Sequence, residues 1–408
     1  MKTNFLILIG LLLIVPEIKG QTKVPPIAKN LSAKGLRYGS PTEVGMDSAF
    51  IHHRVDSIMD HGIKNRAFPG AQVLVAKNGS IIFHKAYGHH TYDSIQPTGL
   101  DDLYDLASVT KIAASLPALM TLVEEGKLDL DQPFSRYWKR WRGKKDKEEL
   151  TLREILAHQA GLVPYIVYLN KVIKKNGETK SRFVKNGPRP RFNHQAYDGI
   201  YIKNRFRNKM YRIMERSKVS DEKKYNYSGL SFLIYPELTK QLTGQEFETY
   251  LQNHFYGPLG ASTMGFNPKL KGFSNKIVPT EQDALFRHAL TQGWVHDENA
   301  ALLGGVSGNA GLFASATDLA KLMQMYMQFG VYGGKRYFSE ATVKEFIKVQ
   351  YPENENRRGL GFDKPLLDNA HLEFTDAYPA PEVGSASFGH SGFTGTFIWA
   401  DPDRELVY

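Results

Sequence analysis

The segment from Ser108 to about Glu125 constrains the fold more than any other. Ala113, Ala114, Leu116, Leu119, Met120, Leu122 and Val123 cover most of a helix's circumference. A helix that is apolar all round is buried, so the rest of the chain must pack about it on every side. Gly126 stands where a left-handed residue would end it. Pro117 predicts a kink or a shift in hydrogen bonding. A chain of 408 residues can bury such a core without staples. By length alone it would divide into two or three domains of roughly 150 residues.

The flanking patterns say what packs there. The β-rich runs Ala71–Ala76 and Ile81–Ala86 flank Asn78-Gly79, and both turn residues accept a positive φ, which predicts a hairpin. Ser315-Ala316-Thr317-Asp318 reads as a helix start with a capping carboxylate. That helix runs through Leu319, Leu322, Met323, Tyr326 and Met327 to Gly330. Its Met and aromatic stripe reads as core. Phe393–Ala400 is β-rich, Asp401–Arg404 turns the chain, and Glu405–Tyr408 begins another strand. The predicted fold class is therefore α/β (α+β). One antiparallel sheet is formed from both chain ends and flanked by helices, with a mostly helical region, about 100–345, inserted between.

Phe5–Val15 is an apolar run of 11 residues behind a short basic start. It is too short to span a bilayer, which takes about 20 residues. With Gly20 as a cleavage point, residues 1–20 read as a signal peptide, 21–45 as an extension and 46–408 as the working domain. The mature protein is then expected to be periplasmic or secreted, without a transmembrane segment, and nucleic acid is not a partner. The formal charge of +10 is uneven. Lys171–Lys224 holds 17 Lys and Arg against five Asp and Glu, a net of +12, so the rest is close to neutral. This basic insertion, 165–224, reads as a solvated surface. Its alternative role is weak contact with an anionic envelope. Tyr201, Phe206 and Tyr211 within it could form a small helical core.

The chain has no cysteine, which removes disulfides, thiolate metal sites and a cysteine nucleophile. The adjacent pairs His52-His53 and His89-His90 diverge on one element, so no metal and no cofactor is expected. Gly-x-Ser-x-Gly, Walker and His-Glu-x-x-His motifs are absent. What remains is Ser108-Val109-Thr110-Lys111, whose serine and lysine share one helix face. A lysine at the mouth of a buried helix is desolvated, which lowers its pKa and lets it take the serine proton. An ordinary helix N-cap would also put a serine here. A second Ser-x-x-Lys, Ser220–Lys223, lies in the polar insertion, where its lysine would be solvated.

Two further stretches join it: Tyr225-Asn226-Tyr227-Ser228-Gly229 and Phe388-Gly389-His390-Ser391-Gly392-Phe393-Thr394-Gly395. Together the three resemble the serine β-lactamase and penicillin-binding-protein superfamily, in its class C and esterase-like branch. Phe68–Ala71, Leu156–Leu162, Pro258–Gly260 and Gly304–Phe313 are similar to the same family. The resemblance implies an acyl-enzyme on Ser108, with Lys111 and Tyr227 sharing the proton work. Tyr225 is the rival to Tyr227. It implies an oxyanion hole from the backbone N–H groups of Ser108 and Phe393. It also implies a strand carrying His390, Ser391 and Gly392 along the substrate. His390 stands where such enzymes carry lysine, and a neutral imidazole cannot anchor a carboxylate as a fixed cation does. The implied partner is a small-molecule ester or amide, with a peptidoglycan fragment as one candidate. Esterase, amidase, D-alanyl carboxypeptidase and β-lactamase all remain open.

Two features depart from the pattern. Gly229 stands where the family carries Asn or Asp, so a side chain expected to bond the lysine is missing. That departure motivates the alternative of a catalytically weak binding or sensing module. The chain also stops at Tyr408, four residues into a strand. The resemblance implies that this strand, another strand and a C-terminal helix would follow, and that an exposed sheet edge would otherwise remain.

Overall fold

The computed structural model describes residues 35–273 and 276–408. The expected signal peptide, residues 1–20, lies outside the described residues. The Asn78-Gly79 turn forms as its chemistry requires, with φ of +51° and +75°. It joins β2 (Gly70–Lys77) to β3 (Ser80–Gly88). β1 (Arg37–Tyr38) lies parallel to β3. Three late strands complete the sheet: β4 (Phe388–Ser391), β5 (Phe397–Asp401) and β6 (Leu406–Val407). The spatial order is β1-β3-β2-β6-β5-β4. Leu406 pairs with Lys77 and Val407 with Ala76, so both ends of the described chain share one sheet. β6 lies between β2 and β5, not at an edge.

Phe393 is not part of a strand. Gly392–Thr396 is a tight turn joining β4 to β5, closed by Gly392 N–H donating to Thr396 O at 2.6 Å and by Gly395 at φ +86°. The β-rich composition of Phe393–Ala400 hid this break, because Gly395 forces a left-handed residue inside the run. α1 (Ser48–Lys64) packs on the outer face through Ile51, Val55, Met59 and Ile63 against Val73, Phe83 and Tyr87.

The apolar segment lies on the other side of the sheet and is buried from Val109 to Met120. It begins as a 3₁₀ turn (Ala107–Val109), widens into a π turn (Lys111–Ser115) and continues as α2 (Leu116–Glu124). Pro117 has no N–H, so the Ala113 carbonyl loses its ordinary partner. The Tyr256 hydroxyl takes its place at 2.9 Å, and Tyr326 does the same for Ile112 O at 3.0 Å. The predicted helix at 315 forms as α5 (Ala316–Met327), numbered after the two helices below. The Ser315 hydroxyl caps it, while the Asp318 carboxylate binds Thr263 instead.

The basic insertion is not purely helical. Val184–Asn186, Ile200–Ile202 and His194–Tyr197 form a small antiparallel sheet, followed by α3 (Phe206–Glu215). Phe206, Met210, Tyr211 and Met214 are buried, with Tyr211 edge-on to Trp138 at 5.1 Å. After it, α4 (Tyr235–Thr243) follows the Tyr225–Phe232 stretch. Among the described residues no helix is long and apolar enough to cross a membrane.

Candidate active site

Ser108 sits just past a strained turn. Ala107 has φ +43°, which costs a residue with a Cβ, and the turn is held from two sides. The buried Asp105 carboxylate accepts from Ala107 N at 2.9 Å and from His296 N at 2.6 Å. Thr394 and Thr396 donate to the carbonyls of Asp105 and Leu106 at 2.6 and 3.0 Å. The β4–β5 turn is thereby bound to the segment that leads into Ser108. Gly392 makes this approach possible: a Cβ there would lie 2.1 Å from Thr396 Oγ1 and 2.5 Å from Leu106 O. No protein acceptor among the described residues takes the Phe393 N–H. The Phe393 side chain is 84 % exposed and rests beside the His296 ring.

Lys111 is 2 % exposed, and its Nζ donates to Ser108 Oγ at 2.8 Å. Its second acceptor is the backbone carbonyl of Asn309 at 3.1 Å. That carbonyl is held in place by the Asn309 side chain, which bonds Ser307 and Asp297. The lysine therefore keeps a second acceptor although position 229 is glycine. A Cβ on Gly229 would meet nothing within 4 Å among the described residues.

Of the two tyrosines, Tyr227 faces the lysine: Lys111 Nζ is 5.2 Å from its ring centroid. Tyr225 is exposed. The choice is made by pairing with the 158–164 stretch. Asn226 N donates to His158 O, Ser228 N to His158 Nδ1 and Gly229 N to Pro164 O. With the stretch held so, the Tyr227 ring lies against Lys111 while Tyr225 stays exposed. Burial raises the Tyr227 pKa, but the charge of Lys111 and contacts with Lys111 and Ser108 bring it below the ordinary value. Neither neighbour forms a hydrogen bond with the hydroxyl within 3.5 Å.

His390 is buried at the end of the same cluster, its ring 6.1 Å from that of Tyr227. Its Nδ1 lies 2.7 Å from Ser391 O and its Nε2 3.2 Å from Arg358 Nη2. A carbonyl only accepts and a guanidinium only donates. Nδ1 therefore carries the proton and Nε2 is a bare acceptor. Burial, then the charges of Arg358 and Lys111, push the His390 pKa down to about 3. The exposed Ser391 contributes its carbonyl to this arrangement.

Sequence reasoning passed over three participants. His158 and Asn309 lie inside stretches noted only as family-like. Arg358 carries no local signal at all, because its partners His390 and Asp363 come from β4 and from a bridge beside it. A cavity of about 610 Å³ lies behind the Gly392–Thr396 turn, lined by β2, Phe397 and Tyr408, and contains neither Ser108 nor Lys111.

The family model described as Beta-lactamase matches residues 55–408. A "Putative D-alanyl-D-alanine carboxypeptidase" of Salmonella schwarzengrund (strain CVM19633) is 30% identical over 413 residues, covering 93% of this chain and 87% of that protein. An octameric penicillin-binding protein homologue from Pyrococcus abyssi has a TM-score of 0.63 at 19% identity, covering 87% of this chain and 72% of the other. A class C beta lactamase from Rhodobacter sphaeroides gives 0.59 at 16%, covering 86% and 91%. These two likenesses concern the fold. The extent of the family match and of the likeness to the Salmonella protein shows that the chain belongs to the beta-lactamase family of serine hydrolases.

Proposed function

We propose that the protein is an exported hydrolase that cleaves a small ester or amide through an acyl-enzyme on Ser108. The observation that carries this reading is the 2.8 Å contact between the buried Lys111 Nζ and Ser108 Oγ. Ser108 Oγ attacks the carbonyl carbon and its proton passes to the Lys111–Tyr227 pair. The pair returns that proton to the leaving alcohol or amine as the carbonyl–heteroatom bond breaks. Water then attacks the acyl-enzyme by the reverse proton route. The N–H groups of Ser108 and Phe393 hold the developing oxyanion, and the free Phe393 N–H supports that role.

His390 offers no cation to a substrate carboxylate, which favours neutral esters and amides over a free C-terminal peptide. The name of the Salmonella relative keeps a D-alanyl peptide, and hence a cell-wall fragment, among the substrates to test. Export rests on the apolar run Phe5–Val15. The basic insertion supports weak contact with an anionic envelope surface. Lys171, Lys180, Arg182, Lys209 and Arg212 have no ion pair among the described residues. Burial and the nearby charges of Arg182, Lys171, Lys180 and Arg212 together lower the Lys209 pKa.

A fluorophosphonate probe tests the central claim. The folded protein is expected to be labelled on Ser108, and Ser108→Ala to lose both the label and hydrolysis of p-nitrophenyl esters. A Ser108→Ala protein that keeps full hydrolysis would refute it. Nitrocefin and D-Ala-D-Ala peptides in the same panel separate the substrate classes.

A further inference from the structure

The guanidinium of Arg358 is 2 % exposed and turned entirely inward. Nη1 pairs with Asp363 Oδ1 at 3.1 Å, and Nη2 reaches Gly361 O and His390 Nε2 at 3.3 and 3.2 Å. Its Cζ lies 5.6 Å from the centroid of the Tyr227 ring. Asp363 is placed for this by the backbone: it exchanges two hydrogen bonds with Gly389, the residue before His390, at 2.8 and 3.0 Å. One buried arginine thus touches the side chains of two site elements that are far apart in sequence.

We infer that Arg358 is a positioning residue of this site: it fixes His390 as one neutral tautomer and sets a permanent positive charge against the Tyr227 ring. The inference rests on the reading of Ser108, Lys111 and Tyr227 as the reacting groups. With Nε2 committed to Arg358 and Nδ1–H to Ser391 O, His390 has neither a free proton nor a free lone pair. It therefore transfers no proton during turnover. The positive charge at this end of the site belongs to an arginine beneath it, not to the strand residue. The charged and titratable groups that face His390 among the described residues are Arg358, Asp363, Lys111, His158 and Tyr227. Three of these, Arg358, Lys111 and Asp363, carry charge, and the two cations oppose protonation of the ring.

Removing Arg358 does not orphan Asp363, because Arg357 holds the same carboxylate through Nε at 3.0 Å and Nη2 at 3.2 Å. Arg358→Met and Arg358→Lys are therefore the test variants. The first readout is ring-nitrogen NMR of His390, assigned by the signal lost in His390→Gln. In the unaltered protein the ring is expected to stay neutral, protonated on Nδ1, and not to titrate between pH 5 and 8. In Arg358→Met the Nε2 signal should shift, because its donor is gone, and the ring should take up a proton at a higher pH than in the unaltered protein.

The second readout is the pH profile of kcat/KM. Losing a cation beside the phenol raises the pH at which Tyr227 ionises, so the acid limb should move up by about one pH unit. Arg358→Lys, which keeps the charge, should hold the limb nearer its original position. A purely structural role would lower the rate in both variants without moving the limb. The inference is overturned if His390 of the unaltered protein titrates between pH 5 and 8 or carries its proton on Nε2. It is equally overturned if Arg358→Met leaves both signal and limb unchanged. The NMR result does not depend on activity. If the fluorophosphonate probe fails to label Ser108, the catalytic reading falls while the hold on His390 is still decided.

Discussion

The Tyr256 hydroxyl donates to the Ala113 carbonyl at 2.9 Å, four residues before Pro117. The proline removes the amide that an α-helix would offer this carbonyl, and the tyrosine replaces it. The carbonyl lies in the π turn that also carries Lys111, so a core hydrogen bond supports the reacting lysine. Tyr256→Phe leaves a buried acceptor unpaired. It should destabilise the protein by about 1–3 kcal/mol, as read by urea unfolding. An unchanged midpoint would mean that the turn holds without it.

Lys111→Met keeps the length of the side chain and removes the proton carrier. Its expected effect is a fall in kcat of roughly 10²–10⁴ on a p-nitrophenyl ester, with the unfolding midpoint near that of the parent protein. Residual activity close to the parent level would shift the proton work to Tyr227 alone.

Gly392→Ala brings a Cβ against Leu106 O and Thr396 Oγ1, and the backbone contact at 2.5 Å cannot be relieved by a rotamer. The β4–β5 turn must then move away from Ser108 and carry the Phe393 N–H with it. A loss of about 10²–10³ in kcat should follow, as for a missing oxyanion donor. Steady-state kinetics beside a thermal melt would separate this from unfolding.

Two buried histidines make stability depend on pH. His390 is pushed down to about 3, and His158 well below its ordinary value, both chiefly by burial. The unfolded chain takes up a proton at each near pH 6.5. Below that pH the unfolded state binds more protons, so stability falls as the pH drops from about 6.5 towards 3. Each histidine contributes a slope of up to about 1.4 kcal/mol per pH unit. His390→Gln should remove about half a proton from the uptake on unfolding at pH 6.5 and about one at pH 5.5 and 4.5. A slope identical to that of the parent protein would contradict the assignment.

The basic face can be tested apart from catalysis. Changing Lys171, Lys180, Arg182, Lys209 and Arg212 together to Gln should abolish sedimentation with vesicles of anionic phospholipid at low salt. Hydrolysis of a soluble ester should be unaffected. Vesicle binding that survives the change, or that ignores added salt, would exclude this face.

The buried helix, the Asn78-Gly79 hairpin and the sheet joining both chain ends could all be read from the sequence. Each depends on neighbours in the chain: apolar coverage, turn chemistry and β-rich runs a few residues long. The Ser108–Lys111 pair was legible for the same reason, since three residues of helix place one side chain over the other. Tertiary structure alone decided between Tyr227 and Tyr225, because they stand two residues apart and only the folded chain shows which ring meets Lys111. It also decided that the insertion contains a sheet, that Phe393 sits in a turn, and that Arg358 meets His390 across 32 residues of chain. Local pattern reports which groups a segment can bury. Which distant charge they meet depends on how the layers close, and no spacing along the chain encodes that.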